Sequence, residues 1–237
     1  MPPAATPHCI VTGSSSGIGL ALTARLLAGG WRVTGLDRQP HPTGDADGLR
    51  TALVDLLDET ALEAALSTVS EDRPSAFVHC AGIMRAGRIA EMRHEDLELL
   101  WRLHVATTVT IMRRLAPALP DHTGRVVLLS SRGALGRPGR GLYAASKAAL
   151  SGLARSWALE LAARGVTVNV VAPGATDTPM LADPARGEPP VVDLPIGRLI
   201  RAEEVAYLIM CLLAPDAGAV TGQTMFVCGG GSLVAPS

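Results

Sequence analysis

The sequence predicts an α/β fold in which helices cover both faces of an open, doubly wound parallel sheet of about seven strands. Short apolar runs alternate along the chain with longer segments of helical periodicity. Glycine-rich or polar segments follow several of these runs, where the carboxyl ends of parallel strands would meet. The chain of 237 residues suits a single domain over residues 1–237. Its 48% hydrophobic and only 3% aromatic residues suit a core of Ala, Val, Leu and Ile.

The predicted elements follow one another in a regular order. Residues 8–11 form the first strand, and residues 17–28 have helical spacing after a glycine-rich turn. Because residues 39–47 hold Pro, Gly and Asp, the crossover helix after the second strand is predicted to be short or absent. Further strands are predicted at residues 31–36, 51–54, 76–79, 125–129 and 166–171, and further helices at residues 59–69, 94–116, 142–164 and 202–213. Such alternation predicts parallel strands joined by right-handed crossovers.

Charge and composition argue against several kinds of partner. The net charge of -1 gives no electrostatic reason to expect nucleic acid or an anionic membrane. The longest apolar run, residues 205–214, is too short to span a bilayer. The four cysteines lack metal-ligand spacing, so buried thiols and no metal are expected at Cys9, Cys80, Cys211 and Cys228. We therefore expect a soluble, cytoplasmic protein that acts on a small molecule.

The segment TGSSSGIG, residues 12–19, joins the first predicted strand to the first helix. Glycines there allow the backbone to turn sharply and to approach a pyrophosphate at the helix N-terminus. The spacing G-x-x-x-G-x-G differs from the commoner G-x-G-x-x-G, and a purely structural turn is the alternative. The position after the first strand favours dinucleotide binding, with contacts from Gly13, Ser15, Ser16, Gly17, Ile18 and Gly19.

An acidic residue, Asp37, ends the second predicted strand about twenty residues after the glycines, where it can bind ribose hydroxyls and repel a 2′-phosphate. This position favours NAD over NADP, although the neighbouring Arg38 could pair with a phosphate. Two further pairs follow the third and fourth strands and are placed to meet adenosine: Asp55 with Leu56, and Ala81 with Gly82. Asp55 could equally cap a helix.

A tyrosine and a lysine stand four residues apart at the start of a predicted helix, so Tyr143 and Lys147 share one face. The tyrosine pKa of about 10 is too high for a base near neutrality, but an adjacent ammonium stabilises the phenolate. The preceding strand ends in Ser130 and Ser131, whose hydroxyls can donate to and accept from a substrate oxygen. Both patterns also occur as ordinary helix and turn features.

Together these motifs resemble the short-chain dehydrogenase/reductase family over nearly the whole chain. The glycine turn matches T-G-x-x-x-G-I/L-G, the segment YAASK at residues 143–147 matches Y-x-x-x-K, and NVVAPG at residues 169–174 matches N-x-V/I-x-P-G. The resemblance implies a Rossmann-type fold and a homotetramer built on helices 94–116 and 142–164. It also implies NAD-dependent hydride transfer between nicotinamide and a small, cyclic secondary alcohol or ketone.

The resemblance also implies roles for individual residues. Tyr143 would be the catalytic acid/base, Lys147 would lower its pKa and hold the nicotinamide ribose, and Ser130, at the family's spacing from the tyrosine, would orient the reacting oxygen. The nicotinamide pocket would be lined by Pro173, Gly174, Thr176 and Thr178.

Two positions depart from the family pattern. Residues 79–82 read HCAG where the family usually has N-N-A-G, and His104 stands where an Asn commonly completes the catalytic group. The resemblance implies that His104 bonds a water beyond the lysine and relays protons, whereas a packing role is the alternative. These departures leave room for a catalytically silent protein that binds NAD or a partner.

The substrate end is predicted around a short, Pro-rich lid at about residues 178–198, with an apolar wall that includes Met180, Leu181, Val191, Val192 and Leu194. Arg85 and Arg132 could reach this site and pair with a carboxylate, or could be solvated. Residues 33–37, 81–85 and 173–178 resemble the 2,3-dihydro-2,3-dihydroxybenzoate dehydrogenases, which implies a dihydrodiol acid as an alternative substrate.

Overall fold

The computed structural model describes residues 6–186 and 194–234 and has one central sheet of seven parallel strands. The strand order is β3-β2-β1-β4-β5-β6-β9, so the order reverses between β1 and β4. The strands are β1 (His8–Thr12), β2 (Arg32–Asp37), β3 (Leu49–Leu53), β4 (Ala76–His79), β5 (Arg125–Leu129), β6 (Thr167–Pro173), β7 (Thr176–Asp177), β8 (Ile200–Arg201) and β9 (Thr224–Val227). The predicted doubly wound sheet is confirmed.

Helices cover both faces of this sheet. They are α1 (Gly17–Ala28), α2 (Glu59–Glu71), α3 (His94–Trp101), α4 (Thr107–Leu115), α5 (Gly141–Leu161) and α6 (Ala202–Leu213). The helices α1 and α6 pack together on one face, where Leu22 and Ile209 are fully buried. On the opposite face α2, α4 and α5 enclose a second core, which contains Leu66, Ile111 and Leu150. No described helix has both the length and the apolarity needed to cross a membrane.

The central strands are buried on both faces, which explains their continuous apolar runs. Every residue of β1, β5 and β6 is buried. The edge strand β9 was not assigned from the sequence; it is only four residues long and leaves Phe226 39% exposed. As predicted, no helix joins β2 to β3.

The predicted helix at residues 94–116 is interrupted. A π-helical turn, Arg102–Ala106, separates α3 from α4 and contains the buried His104. Such turns add one residue to a helical turn and frequently lie at functional sites. The prediction of a continuous helix was therefore wrong at this point.

The cysteine prediction holds only in part. All four thiols are free, and Cys9 and Cys228 are buried, but Cys80 is half-buried and Cys211 is exposed on α6. The described residues contain no group of three His, Cys, Asp or Glu side chains that could hold a metal ion.

Candidate active site

A cleft of about 470 Å³ lies at the carboxyl ends of the strands, where the sheet order reverses. Its volume is in the range of ligand pockets in proteins. Nearly all residues predicted from the motifs line it: Gly13, Ser16, Gly17, Ile18, Gly19, Asp37, Arg38, Asp55, Leu56, Ala81, Gly82, Arg85, Ser130, Arg132, Tyr143, Lys147, Pro173, Gly174, Thr176, Thr178 and Met180. The two exceptions are Ser15 and His104, which lie behind its wall.

The glycine turn has no room for side chains. A Cβ atom at Gly13 would lie 2.9 Å from the backbone of Ala81, and one at Gly19 would lie 1.9 Å from the Gly13 carbonyl oxygen. Gly13 also has a φ of 66°, which favours glycine. The N-cap Ser16 makes no side-chain capping bond, and the first turn of α1 holds no acidic residue. The free amides and the helix dipole therefore favour an anion such as a pyrophosphate.

The acidic residue at the end of β2 is held firmly. One Asp37 carboxylate oxygen accepts the Ser15 backbone N–H at 2.9 Å, and the other accepts the Gln39 backbone N–H at 3.0 Å. The Ser15 hydroxyl donates to the Gln39 carbonyl, which explains why its side chain lies behind the cleft wall. Arg38 is exposed at the rim of the cleft. The carboxylate is thus fixed in orientation at this end of the cleft.

Asp55, one of the residues predicted to meet adenosine, also stabilises a turn. The Asp55 carboxylate accepts the Leu57 backbone N–H at 2.9 Å, so the side chain stabilises the turn before α2. The N-cap of α2 itself is Asp58, which accepts the Ala61 backbone N–H. Asp55 nevertheless lines the cleft and is exposed.

The side chains of Tyr143 and Lys147 project from the first two turns of α5 and are 6% and 4% exposed. The Lys147 ammonium donates to the Leu129 carbonyl at 2.9 Å. A Cβ atom at Gly82 would lie 3.2 Å from the Lys147 ammonium and 3.1 Å from His104 Nε2. Gly82, Lys147 and His104 are therefore in close contact. Burial lowers the pKa of Lys147 to about 8.

Burial raises the pKa of the Tyr143 phenol above its ordinary value. The Ser131 side chain and the charges of Arg186 and Arg140 act in the opposite direction. Because burial is the largest cause, the phenol is protonated at neutral pH in the cofactor-free protein. This protonation state suits a general acid.

The two serines after β5 point in different directions. The Ser130 hydroxyl donates to the Lys147 carbonyl at 2.7 Å. The Ser131 hydroxyl accepts the Gly133 backbone N–H at 3.0 Å and lies near the Tyr143 ring. Both serines line the cleft. The family's spacing favours Ser130, whereas the structure brings Ser131 next to the phenol.

The fully buried His104 links two parts of the site. Its Nε2 accepts the Ile83 backbone N–H at 3.1 Å, so the proton is on Nδ1, which donates to the Ser146 hydroxyl at 2.9 Å. That hydroxyl donates to the Tyr143 carbonyl. Burial, reinforced by the Lys147 charge, holds the His104 pKa well below its ordinary value. Both nitrogens of this neutral ring have protein partners, so the geometry supports a positioning role rather than the expected proton relay.

A positioning role predicts that His104→Asn, whose side-chain amide can still donate to Ser146, keeps most of the activity and the shape of the pH–rate profile. His104→Ala leaves buried groups unsatisfied and should lower the free energy of unfolding by about 2–3 kcal/mol. The measurements are kcat/KM between about pH 5 and 8, where histidine titrates, and urea unfolding. A change of kcat/KM with pH near the ordinary histidine pKa, present in the wild-type protein and absent in His104→Asn, would contradict this role.

The other departure from the family pattern, HCAG at residues 79–82, also stabilises the structure. Thr12 Oγ1 accepts the Cys80 and Ala81 backbone N–H groups, both at 3.1 Å, and donates to His79 Nδ1 at 2.9 Å. The His79 ring therefore ties β4 to β1. Burial lowers the His79 pKa to about 3 and raises the pKa of the Cys80 thiol to about 12. At neutral pH both groups are uncharged.

The two arginines predicted for the substrate both line the cleft but also have protein partners. Arg85 forms an ion pair with Asp96, with 3.5 Å between Nε and Oδ1. Arg132 donates to the Gly231 carbonyl at 2.8 Å. The carboxylate of Asp96 thus already offsets the charge of Arg85.

Three further arginines that the sequence motifs did not indicate also line the cleft, namely Arg137, Arg140 and Arg186. The position of the first two between Ser130 and Tyr143 was the available signal. Of the predicted lid, β7 and β8 pair at its base and Met180 and Leu194 line the cleft. Val191 and Val192 lie outside the described residues.

The chain is similar to known proteins over nearly its whole length. A family model described as enoyl-(acyl carrier protein) reductase matches residues 13–232. The 3-oxoacyl-acyl-carrier-protein reductase FabG of Thermotoga maritima is 32% identical, over 94% of this chain and 96% of that protein. A short chain dehydrogenase family protein from Francisella tularensis superimposes with a TM-score of 0.88 at 25% identity, covering 97% of this chain and 100% of its own.

A third similar protein was solved with a cofactor. It is a blue fluorescent protein from a metagenomic library in complex with NADPH, with a TM-score of 0.83 and 30% identity over 94% of this chain and 97% of its own. The family model and the FabG relative each span nearly the whole chain, and the fold matches throughout. The chain therefore belongs to the short-chain dehydrogenase/reductase family of oxidoreductases, whose members bind a nicotinamide cofactor.

Proposed function

We propose that this protein is an NAD-dependent oxidoreductase that transfers a hydride between nicotinamide and a small, cyclic secondary alcohol or ketone. The observation that carries the proposal is the placement of Tyr143 and Lys147 in one cleft with the glycine turn of α1. The bound cofactor supplies or accepts the hydride. The close approach of Gly13 to Ala81 and of Gly19 to the Gly13 carbonyl leaves the bare backbone cradle that a pyrophosphate requires.

The chain's own residues divide the remaining work. The amides of the glycine turn bind the pyrophosphate, Asp37 binds the adenosine ribose, and the loop of Pro173, Gly174, Thr176 and Thr178 holds the nicotinamide end. Lys147 binds the second ribose. In ketone reduction, Tyr143 donates its phenolic proton to the carbonyl oxygen. Ser130, which has the family's spacing from the tyrosine, orients that oxygen.

The test is a panel of cyclic and open-chain ketones and alcohols, followed by nicotinamide absorbance with either cofactor. We expect turnover of at least one cyclic ketone or alcohol, and a lower KM for NAD(H) than for NADP(H). NAD binding without turnover of any compound would instead support the alternative of a catalytically silent binding protein.

Cofactor preference depends on the fixed carboxylate of Asp37. A like charge close to a 2′-phosphate is strongly unfavourable, so Asp37→Asn should narrow the preference for NAD over NADP by about ten- to a hundredfold. Asp55→Asn removes another carboxylate from the same wall and serves as the matched control. The measurement is kcat/KM for both cofactors. A lower kcat/KM of the wild-type protein for NAD(H) than for NADP(H) would contradict the assignment.

A homotetramer and a cytoplasmic location complete the proposal. Apolar side chains on the two helices that the family resemblance assigns to the interface support assembly: Trp101 on α3 is 46% exposed and Leu159 on α5 is 81% exposed. Light scattering after gel filtration measures the assembly, and a monomeric mass would contradict it. Within the substrate class, a dihydrodiol acid is the second candidate, which the arginines on the cleft wall favour.

A further inference from the structure

Three arginines line the cleft together with Tyr143, and the charges of Arg140 and Arg186 act on its phenol. Arg137 and Arg140 precede α5, and Arg186 ends a short 3-10 helix, Pro184–Arg186. The Arg140 guanidinium donates to the Arg186 carbonyl oxygen, which joins the two segments. Elements that are distant in the sequence thus bring three cations to the place where a substrate would meet the phenol.

Among the described residues, no carboxylate forms an ion pair with this cluster. Five ion pairs occupy arginines elsewhere in the described chain, but none involves Arg137, Arg140 or Arg186. The Arg186 Nε atom is buried without an acceptor among the described residues. The nearby Asp183 also lines the cleft, and one of its carboxylate oxygens accepts the Ala185 backbone N–H.

The arginines also act on one another. Burial lowers the pKa of Arg140, and the charges of Arg186 and Arg137 lower it further. Bringing half-buried like charges together costs free energy unless an anion offsets them. Guanidinium groups bind carboxylates with paired, charge-assisted hydrogen bonds. A cluster of this kind on the wall of a cleft is therefore best explained by an anionic ligand.

We propose that Arg137, Arg140 and Arg186 form an anion subsite that binds a carboxylate of the substrate beside the reacting carbon. The proposal rests on the proposed function, because it assigns the substrate class of the same cleft: small cyclic hydroxy or keto acids rather than neutral alcohols. Guanidinium groups also pair with phosphate, so the binding measurement below uses both anions.

Turnover tests the subsite with a matched pair of substrates, cyclohexanone and 3-oxocyclohexanecarboxylate, at constant ionic strength. We expect the wild-type protein to prefer the acid. Arg140→Gln and Arg186→Gln should lower kcat/KM for the acid by about ten- to a hundredfold more than kcat/KM for the neutral ketone, the difference expected for charge-assisted hydrogen bonds to the carboxylate. Arg155→Gln is the control, because Arg155 is exposed on α5 and does not line the cleft. Equal losses for both ketones would overturn the proposal.

A binding measurement separates this inference from the proposed function. Thermal unfolding with benzoate or inorganic phosphate as the probe requires no turnover. Benzoate should raise the Tm of the wild-type and Arg155→Gln proteins but not that of Arg186→Gln. Benzoate protection without turnover of any ketone would contradict the proposed function and leave the subsite standing. Turnover without benzoate protection, or protection by phosphate alone, would overturn the carboxylate subsite.

Discussion

Tyr143→Phe should lower kcat for ketone reduction by on the order of a thousandfold, within the usual contribution of a general acid. The substitution removes one oxygen from a side chain that is 6% exposed, so the surrounding packing is retained. KM for the cofactor should change little, because Lys147 and the glycine turn remain. The measurement is steady-state kinetics combined with cofactor titration.

The direction of the Tyr143 pKa shift adds a pH prediction. Since burial raises that pKa, the phenol holds its proton at neutral pH and alcohol oxidation, which needs the phenolate, should become faster as pH rises through neutrality. Ketone reduction should not share this rise. The chain's other tyrosine, Tyr207, is 61% exposed on α6, so Tyr207→Phe is the matched control. Full activity in Tyr143→Phe would contradict the proposal that Tyr143 is the general acid.

Gly19→Ala should abolish cofactor binding and lower the free energy of unfolding by more than about 2 kcal/mol, the scale of an overpacked core. The added methyl group would lie 1.9 Å from the Gly13 carbonyl oxygen and 2.7 Å from its carbon. Both contacts are with backbone, so no side chain can rotate away to relieve them. The turn must open, and the amides that would face a pyrophosphate must move with it.

Helical Gly152 provides the control for this substitution. A Cβ atom there meets nothing within 4 Å, so Gly152→Ala in α5 should be neutral or stabilising by up to about 1 kcal/mol. Urea unfolding and fluorescence titration with NADH report the two effects separately. Normal NADH affinity in Gly19→Ala would show that the close approach at this turn is not required for the cofactor.

The sheet and most of the cleft could be predicted because they depend on short, continuous segments of the sequence. Strands buried on both faces have continuous apolar runs, and the glycine turn and the pair of Tyr143 and Lys147 carry fixed spacings. The strand β9 was missed because it is short and half-exposed at the sheet edge. The π-helical turn was missed because the one-residue shift that it introduces into the apolar pattern is too weak a signal within a segment as short as residues 94–116.

The remaining features of the site depend on contacts between distant segments. Nothing in the sequence around His104 reveals that Ile83 and Ser146 occupy both of its nitrogens. Spacing alone selects Ser130, whereas only the folded chain shows Ser131 near the phenol. Likewise, Arg186 joins Arg140 only because a loop after β7 returns to the start of α5.

The π-helical turn at Arg102–Ala106 fixes how many residues separate Leu100 from Thr108, both fully buried on either side of it. Each residue of an α-helix rotates the chain by about 100° around the axis. Loss or gain of a single residue would swing one of these side chains out of the interior and carry His104 away from both of its partners. This segment should therefore accept exchanges of side chains far more readily than any insertion or deletion.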